Sequence, residues 1–276
     1  LRLTRRSRLK VAVLVEELTP DHLRRLRRHV PERGSEVRVI LRSGSPLDLE
    51  GLHRVDFLNA AVAILPLAEP PEELDTSADP ETIATLRAIA HAAARADRQL
   101  PLVVAEIAET AGAAIARRAY GGPIELLASD LLVARLLIQS LRHPGFSGLC
   151  ADLFSQEKGS EIYLRELPEL EGFPFGELHH RISRAIPIGV VTAGPKGFEP
   201  ELLPPPGRRM GPGEQVVAVA PSFDDMVVAG PGTATEPEAD IPLEVPWPEA
   251  AAPHRVLVLG WNRRLPALLA ELDLYP

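Results

Sequence analysis

Cysteine is almost absent from this chain: Cys150 is the single one among 276 residues. That excludes a disulfide framework and any zinc site built from several thiolates, and it fits a reducing compartment. Cys150 lies in the apolar stretch from Leu149 to Phe154 and reads as a small buried residue. Aromatic residues are scarce as well, at 4%, while 45% of residues are hydrophobic, so the core is expected to be aliphatic. Long uncharged apolar runs are missing. Leu131 to Ile138 is interrupted by Arg135, far short of the ~20 residues that a membrane-spanning helix needs. The opening, Leu1 to Lys10, is basic but has no apolar stretch of signal-peptide type, and the first residue is not Met. The sequence therefore reads as a fragment or as a chain with trimmed ends. Positive charge is in deficit too, with 30 Lys and Arg against 38 Asp and Glu and a net charge of -8. A nucleic-acid surface, which needs clustered cations over a whole face, is not expected.

What is present is a repeated alternation of buried-strand and helix patterns. Lys10 to Val15 is an aliphatic, β-branched run of the kind found in strands buried on both faces. Thr19-Pro20 then opens a helix with Thr19 as N-cap and Pro20 at the first helical position. A strand over Glu36 to Leu41, a short helix after Ser45-Pro46, and a strand over Ala60 to Leu67 follow. Asp79-Pro80 is read as the cap of a long alanine-rich helix reaching about Arg98. Leu102 to Ile107 and Ile124 to Ala128 are further strands, with a helix over Ala111 to Tyr120 between them. The alternation predicts an α/β fold with a parallel, doubly wound sheet.

The pattern changes after Pro144-Gly145. Phe146 to Phe154 reads as the second helix of a hairpin, and Glu161 to Leu167, Ala185 to Thr192 and Glu214 to Ala220 read as strands between Pro- and Gly-rich turns, a smaller α+β unit. The Pro- and Ala-rich stretch from Gly230 to Pro253 has no periodicity and is read as a mobile or extended linker. Arg255 to Leu259 is expected to be another buried strand, followed by Gly260-Trp261-Asn262 and a helix over Leu265 to Leu272.

Catalytic signatures are missing. A dinucleotide fingerprint needs G-x-G-x-x-G between a strand and a helix, so that the backbone can approach the pyrophosphate; the chain has none, and Gly260-Trp261-Asn262 offers one glycine beside a bulky Trp. A nucleotide cofactor is therefore not expected. No serine sits in a G-x-S-x-G elbow, and Ser147 in Gly145-Phe146-Ser147-Gly148 fits a helix start better. His179 and His180 are adjacent and cannot face one ion from a helix; with His143 and His254 they read as surface or capping residues. The chain is not expected to be an enzyme.

Five carboxylates form the candidate site. Glu16 and Glu17 end the first strand, Glu106 lies near the end of the fourth, Asp130 opens the helix after the fifth, and Asp79 opens the alanine-rich helix. In an open α/β sheet, ligands collect at the carboxyl ends of the strands. Oxygen ligands without His or Cys select a hard ion, calcium first and magnesium second. The competing readings make Asp130 an N-cap and Glu16 and Glu17 solvated acids ahead of a helix N-terminus. The helix from Asp130 to Arg142 carries Leu131, Leu132, Ala134, Leu137, Ile138 and Leu141, apolar almost all round, and must be buried against its own domain or a partner.

Several of these segments together resemble the Castor/Pollux ion-channel family. Arg42-Ser43-Gly44-Ser45-Pro46 is similar to the family's CRSGSP segment, and Val103-Val104-Ala105-Glu106 to its VVVE strand. Ser129-Asp130-Leu131-Leu132-Val133-Ala134-Arg135 with Gln139 and Pro144-Gly145 matches its DVIGR…Q…QPG pattern. Glu161-Ile162-Tyr163 with Pro168-Glu169-Leu170-Glu171-Gly172 resembles EFY…PELDG, and Leu257 to Asn262 resembles the CGW opening of a second unit. The resemblance implies an RCK-type region: a Rossmann-like subdomain over 1–129, a helical crossover over 130–156, an α+β subdomain over 157–229, a linker over 230–254, and the start of a second RCK unit over 255–276. The first strand of such a unit, with its phosphate-loop turn, would precede Lys10 and is absent. It further implies a homodimer through the crossover helices, a tetrameric gating ring, a pore domain in the same full-length chain, and a cytoplasmic position beside a membrane. Two rival readings are a degenerate dinucleotide-binding oxidoreductase and the regulatory subunit of a Trk-type K+ transporter.

Overall fold

The computed structural model describes residues 9–29, 37–67, 79–155, 159–194, 197–228 and 256–274. They divide into two compact units, Leu1–Ile138 with Leu259–Pro276, and Gln139–Val258.

The first unit begins with β1 (Leu9–Val15), α1 (Pro20–His29), β2 (Val37–Ser43), α2 (Leu49–Arg54) and β3 (Val62–Leu65). It continues with α3 (Asp79–Arg95), β4 (Leu102–Ile107), α4 (Thr110–Tyr120), β5 (Ile124–Ala128) and α5 (Ser129–Arg142), whose last turn runs into the second unit. All pairings in this unit are parallel, as the strand–helix alternation requires. The strands nevertheless form two sheets, β1–β2 and β3–β4–β5, not one. In a doubly wound sheet the first strand lies between the second and the fourth. Among the described residues no strand occupies that place, and the two sheets part there.

The core of the unit is small and aliphatic. Leu86, Ile89, Ala92 and Ala93 of α3 and Ala116 and Tyr120 of α4 pack on Val103 and Ala105 of β4. Alanine on both helices lets the backbones come close, which explains a core with so little aromatic volume. Tyr120 donates its hydroxyl hydrogen bond to the Pro101 carbonyl, and burial pushes its pKa up to about 12. On β4 the burial alternates, with Val103, Ala105 and Ile107 inward. The opposite face of this sheet leaves Ile64 of β3 and Leu127 of β5 exposed.

The second unit contains α6 (Phe146–Leu153), β6 (Glu161–Glu166), α7 (Leu178–Arg181), β7 (Ile186–Gly194), β8 (Gly197–Leu202) and β9 (Gln215–Ala220). The strands form one antiparallel sheet in the order β6-β9-β7-β8. Strand β8, which contains Pro200, falls in a stretch that the sequence reading gave to Pro- and Gly-rich turns. An edge strand tolerates proline, whose missing N–H then faces away from the ladder, and β8 is such an edge. Val190, Val216 and Ala218 on one sheet face are buried with Leu170, Leu178 and Met226.

Two further expectations meet the structure here. Val256–Leu259, expected as a buried strand, pairs with no other strand among the described residues, and Leu257 and Leu259 are 80% and 86% exposed. An apolar run becomes a strand only where a sheet edge receives it, and none does so here. Arg255 and the linker Gly230 to Pro253 lie outside the described residues. Cys150 is half-buried, not part of the core.

A charged brace fixes the β7–β8–β9 end of the second unit. Arg208 donates from Nη1 and Nη2 to the Glu214 carboxylate at 2.9 and 2.7 Å and from Nε to Glu201 at 2.8 Å. Thr192 Oγ1 and the Gly211 N–H also donate to Glu214, at 3.0 and 2.8 Å. These bonds, the Arg208 pair foremost, hold the Glu214 carboxyl at a pKa of about 2. A carboxyl depressed in the folded state stabilises the fold above its unfolded pKa, and the contribution is lost as pH falls towards the folded value. After allowance for solvent screening it amounts to about 1–2 kcal/mol. Glu214→Gln is therefore expected to lower the melting temperature at neutral pH and to flatten its decline between about pH 4.5 and 2. Thermal unfolding of both proteins across that range checks it, and parallel pH profiles would remove Glu214 from the acid response.

Candidate functional site

The carboxyl ends of the parallel strands carry the acids singled out in the sequence, and the structure separates them into distinct roles. Glu16 and Glu17 follow β1 and are exposed. Glu106, on β4, is half-buried, and its Oε2 accepts the Leu67 N–H at 3.2 Å. It therefore closes the end of β3 onto β4.

Asp79 and Asp130 meet the same residue from two sides. Asp79, 6% exposed at the start of α3, accepts the N–H of Ala108 at 2.6 Å and of Glu109 at 3.2 Å. Those donors stand at the beginning of α4, where N–H groups lack helical partners and negative charge is favoured. Gly112, one turn into α4, leaves the space that this requires: a Cβ there would stand 2.9 Å from Asp79 Oδ2. Asp130, 5% exposed, donates its own N–H to the Ala108 carbonyl at 3.3 Å. Its carboxylate accepts Arg264 Nε at 3.0 Å and faces Arg263 Nε at 3.4 Å. Both backbone polar groups of Ala108 are thus satisfied across elements, so α3, α4 and α5 are fixed to the end of β4.

The arginines come from the C-terminal segment, which includes α8 (Leu265–Asp273). Asn262 Oδ1 accepts the Arg264 N–H at 2.9 Å and so shapes the turn ahead of α8. A second ion pair joins the same helices, with Arg135 Nε 3.1 Å from Glu271 Oε1 and Glu271 6% exposed. Sequence reasoning missed Arg135, Arg263, Arg264 and Glu271. The available signal was Glu271 itself, an acid inside a short apolar helix. Trp261, in the turn that resembles a family motif, is 79% exposed.

Among the described residues, no group of three or more His, Cys, Asp or Glu side chains comes together as a metal site would require. The rings of His179 and His180 lie tilted against each other, with centroids 3.6 Å apart and an angle of 46° between their planes. Apolar exposure concentrates elsewhere. Helix α5 buries Asp130, Ala134 and Ile138 along one stripe and leaves Leu132, Leu137 and Leu141 half exposed. On and just beyond α6, Leu149 and Phe154 are 54% and 73% exposed.

Comparison with known proteins agrees with the motif resemblance. Residues 130–232 match the family model described as "Castor and Pollux, part of voltage-gated ion channel". The ion channel CASTOR of Lotus japonicus is 27% identical over 235 residues, covering 85% of this chain and 26% of that protein. A probable ion channel POLLUX of Arabidopsis thaliana is 28% identical over 241 residues, covering 85% of this chain and 27% of that protein. The chain thus spans about a quarter of the length of the curated relatives that it matches. Among solved structures, the human SLO3 gating ring superposes with a TM-score of 0.54 at 16% identity, over 78% of this chain and 45% of that one. The fold is therefore similar to that of the SLO3 gating ring: a Rossmann-like α/β unit, two further helices and a small antiparallel unit. The chain is similar in sequence to the Castor and Pollux channels along most of its length.

Proposed function

We propose that this chain is the cytosolic regulatory region of a Castor/Pollux-like cation channel, acting as part of a gating ring and not as an enzyme. The observation that carries the reading beyond likeness is the crossover hairpin. Its helices leave Leu137, Leu141, Leu149 and Phe154 bare, where a chain working alone would place polar side chains. A second chain covers such a surface. Self-association through the hairpin builds first a dimer and, with two units per full-length chain, a tetrameric ring.

No helix among the described residues is long and apolar enough to cross a membrane. In this reading, conduction belongs to other segments of the full-length protein. Regulation then needs a ligand that binds one arrangement of the assembled subunits better than another, since only differential affinity biases a pore. Calcium at the strand-end acids is the first candidate. A cation there has to displace Arg263 and Arg264 from Asp130 or the two amides from Asp79. Its signature is a calcium-dependent rise in melting temperature that Glu106→Gln blunts, and unchanged melting leaves these acids with their structural roles alone.

The channel reading is tested by reconstituting the full-length gene product in lipid vesicles and measuring potassium, sodium and calcium flux. Cation flux that changes when Leu137 and Leu141 are both replaced by glutamate is the expected result. No flux of any cation overturns the channel assignment. Flux indifferent to the double replacement overturns the regulatory one.

A further inference from the structure

Charge is spread unevenly along the chain. Residues 1–54 hold 13 Lys and Arg against 7 Asp and Glu, whereas residues 55–276 hold 17 against 31. The net charge of -8 thus hides one basic end. Within that end the positive charge is densest on α1, where Arg24, Arg25, Arg27 and Arg28 share the helix with a single acid, Asp21. Asp21 lies 2.8 Å from Arg25 and 3.8 Å from Arg24, so one carboxylate answers two guanidinium groups. On the two strands that α1 connects, Lys10 and Arg38 lie side by side in the parallel register, and both are exposed.

Helix α1 contributes little to the core. None of its residues is buried, and Leu26 alone is half-buried. By the periodicity of a helix, Arg24 and Arg28 stand opposite Leu26, one turn apart, with Arg25 and Arg27 on the two flanks. The helix therefore rests on the unit by one leucine and turns its arginines outward. Two apolar side chains accompany them: Leu18, just ahead of the helix, and Leu23 are 41% and 40% exposed. Guanidinium groups bind phosphate oxygens bidentately. A nucleic acid would use the arginines and leave the leucines idle. A lipid interface uses both, the cations at the phosphates and the leucines at the boundary of headgroups and acyl chains.

We infer that α1 and the turn before it dock on the anionic surface of a phospholipid bilayer, with Arg24 and Arg28 against lipid phosphates and Leu18 and Leu23 entering the headgroup boundary. The inference rests on the channel reading above, which sets the chain beside a membrane, and adds to it which side meets the lipid. Charge complementarity carries it. The negative potential of an anionic leaflet attracts arginines held close to it, and falls off within about 10 Å at physiological salt. The same potential repels the remainder of the chain, where carboxylates are in excess. Segregation of charge therefore orients the molecule as well as attracting it.

Co-sedimentation of the chain with lipid vesicles tests it. Phosphatidylcholine vesicles containing phosphatidylserine are expected to bind the wild type, more weakly as salt rises, while pure phosphatidylcholine binds little. Arg24→Gln with Arg28→Gln is expected to lower the partition roughly 20-fold. Arg87→Gln with Arg95→Gln removes the same charge from exposed positions on α3 and is expected to leave the partition within roughly twofold of wild type. Glutamine is close to arginine as a helix former, and circular dichroism checks that both pairs stay folded. Leu23→Gln is expected to weaken vesicle binding without changing binding to poly-glutamate, which offers charge but no apolar boundary. No binding to the anionic vesicles, or an equal loss in the two arginine pairs, overturns the lipid contact. Poly-glutamate that holds the chain as tightly as the vesicles do makes the face a dock for an acidic protein, and inorganic phosphate that strips the chain from vesicles at matched phosphate concentration makes it a site for the free ion; either result overturns it too. None of these readouts involves ion flux, so their failure beside intact flux in the reconstituted full-length protein removes the lipid contact and leaves the channel reading standing.

Discussion

Replacing Leu137 and Leu141 together by glutamate is expected to leave the protein a monomer, with the dissociation constant of the dimer proposed above raised roughly 100-fold or more. The two leucines lie one helical turn apart on α5, 53% and 56% exposed. They flank the stripe of Asp130, Ala134 and Ile138 by which that helix is buried. They contribute little to the chain's own core, so their loss leaves the fold within the ±0.5 kcal/mol or so of an ordinary surface change. Glutamate is nearly as good a helix former as leucine, which keeps the backbone intact. What changes is the fate of the carboxylates on association, since two chains brought together would bury four of them in an apolar interface without partners. Sedimentation equilibrium reads the mass and far-ultraviolet dichroism reads the fold. A double variant that sediments as wild type places the interface elsewhere, whereas one that loses its dichroism marks these leucines as core.

Much of this organisation was legible in the sequence because it rests on local pattern. The strand over Leu102 to Ile107, the alanine-rich run of α3 and the helix with apolar positions almost all round were each read from local residue pattern, and β4, α3 and α5 form there, although α5 leaves Leu132, Leu137 and Leu141 half exposed. What the sequence conceals is decided by distant partners. Nothing near Glu214 announces that Arg208 and Thr192 converge on it, because that meeting depends on the β7–β8 turn and the loop before β9. The run Val256–Leu259 has the composition of a buried strand, yet composition supplies no neighbour to pair with. Strand β8 stayed hidden among Pro- and Gly-rich turns for the opposite reason, since an edge position removes the penalty that proline carries inside a sheet. The acids show the same limit. Asp79, Glu106 and Asp130 lie about the end of β4, whereas Glu16 and Glu17 follow β1 in a separate sheet, and only these chain positions followed from the strand pattern. Which groups answer each carboxylate did not: arginines 133 and 134 residues further on for Asp130, and backbone amides for Asp79.

Asp79 offers the sharpest test of that distinction. Asp79→Ala is expected to destabilise the first unit by about 3 kcal/mol, because it orphans two N–H donors at the start of α4 and each buried unsatisfied group costs about 1–3 kcal/mol. Ala108, the nearer donor, is 2% exposed, so water does not readily replace the lost acceptor. Asp79→Asn keeps one carbonyl oxygen but turns an NH2 towards the other amide, so its melting temperature is expected between those of wild type and Asp79→Ala. Gly112 makes the argument specific. A methyl group there presses on Asp79 Oδ2 in the wild type but meets a shortened side chain in Asp79→Ala. Gly112→Ala is therefore expected to destabilise the wild type and to do so less in the Asp79→Ala background, a coupling that a double-mutant cycle measures directly. The measurements belong in chelator. A residue that served chiefly as a calcium ligand would show no loss of stability there, whereas one that holds α3 to the end of β4 shows the whole of it. Additive effects of the two substitutions, or an Asp79→Ala melting temperature equal to wild type, would mean that Ala108 and Glu109 are held by something other than this carboxylate.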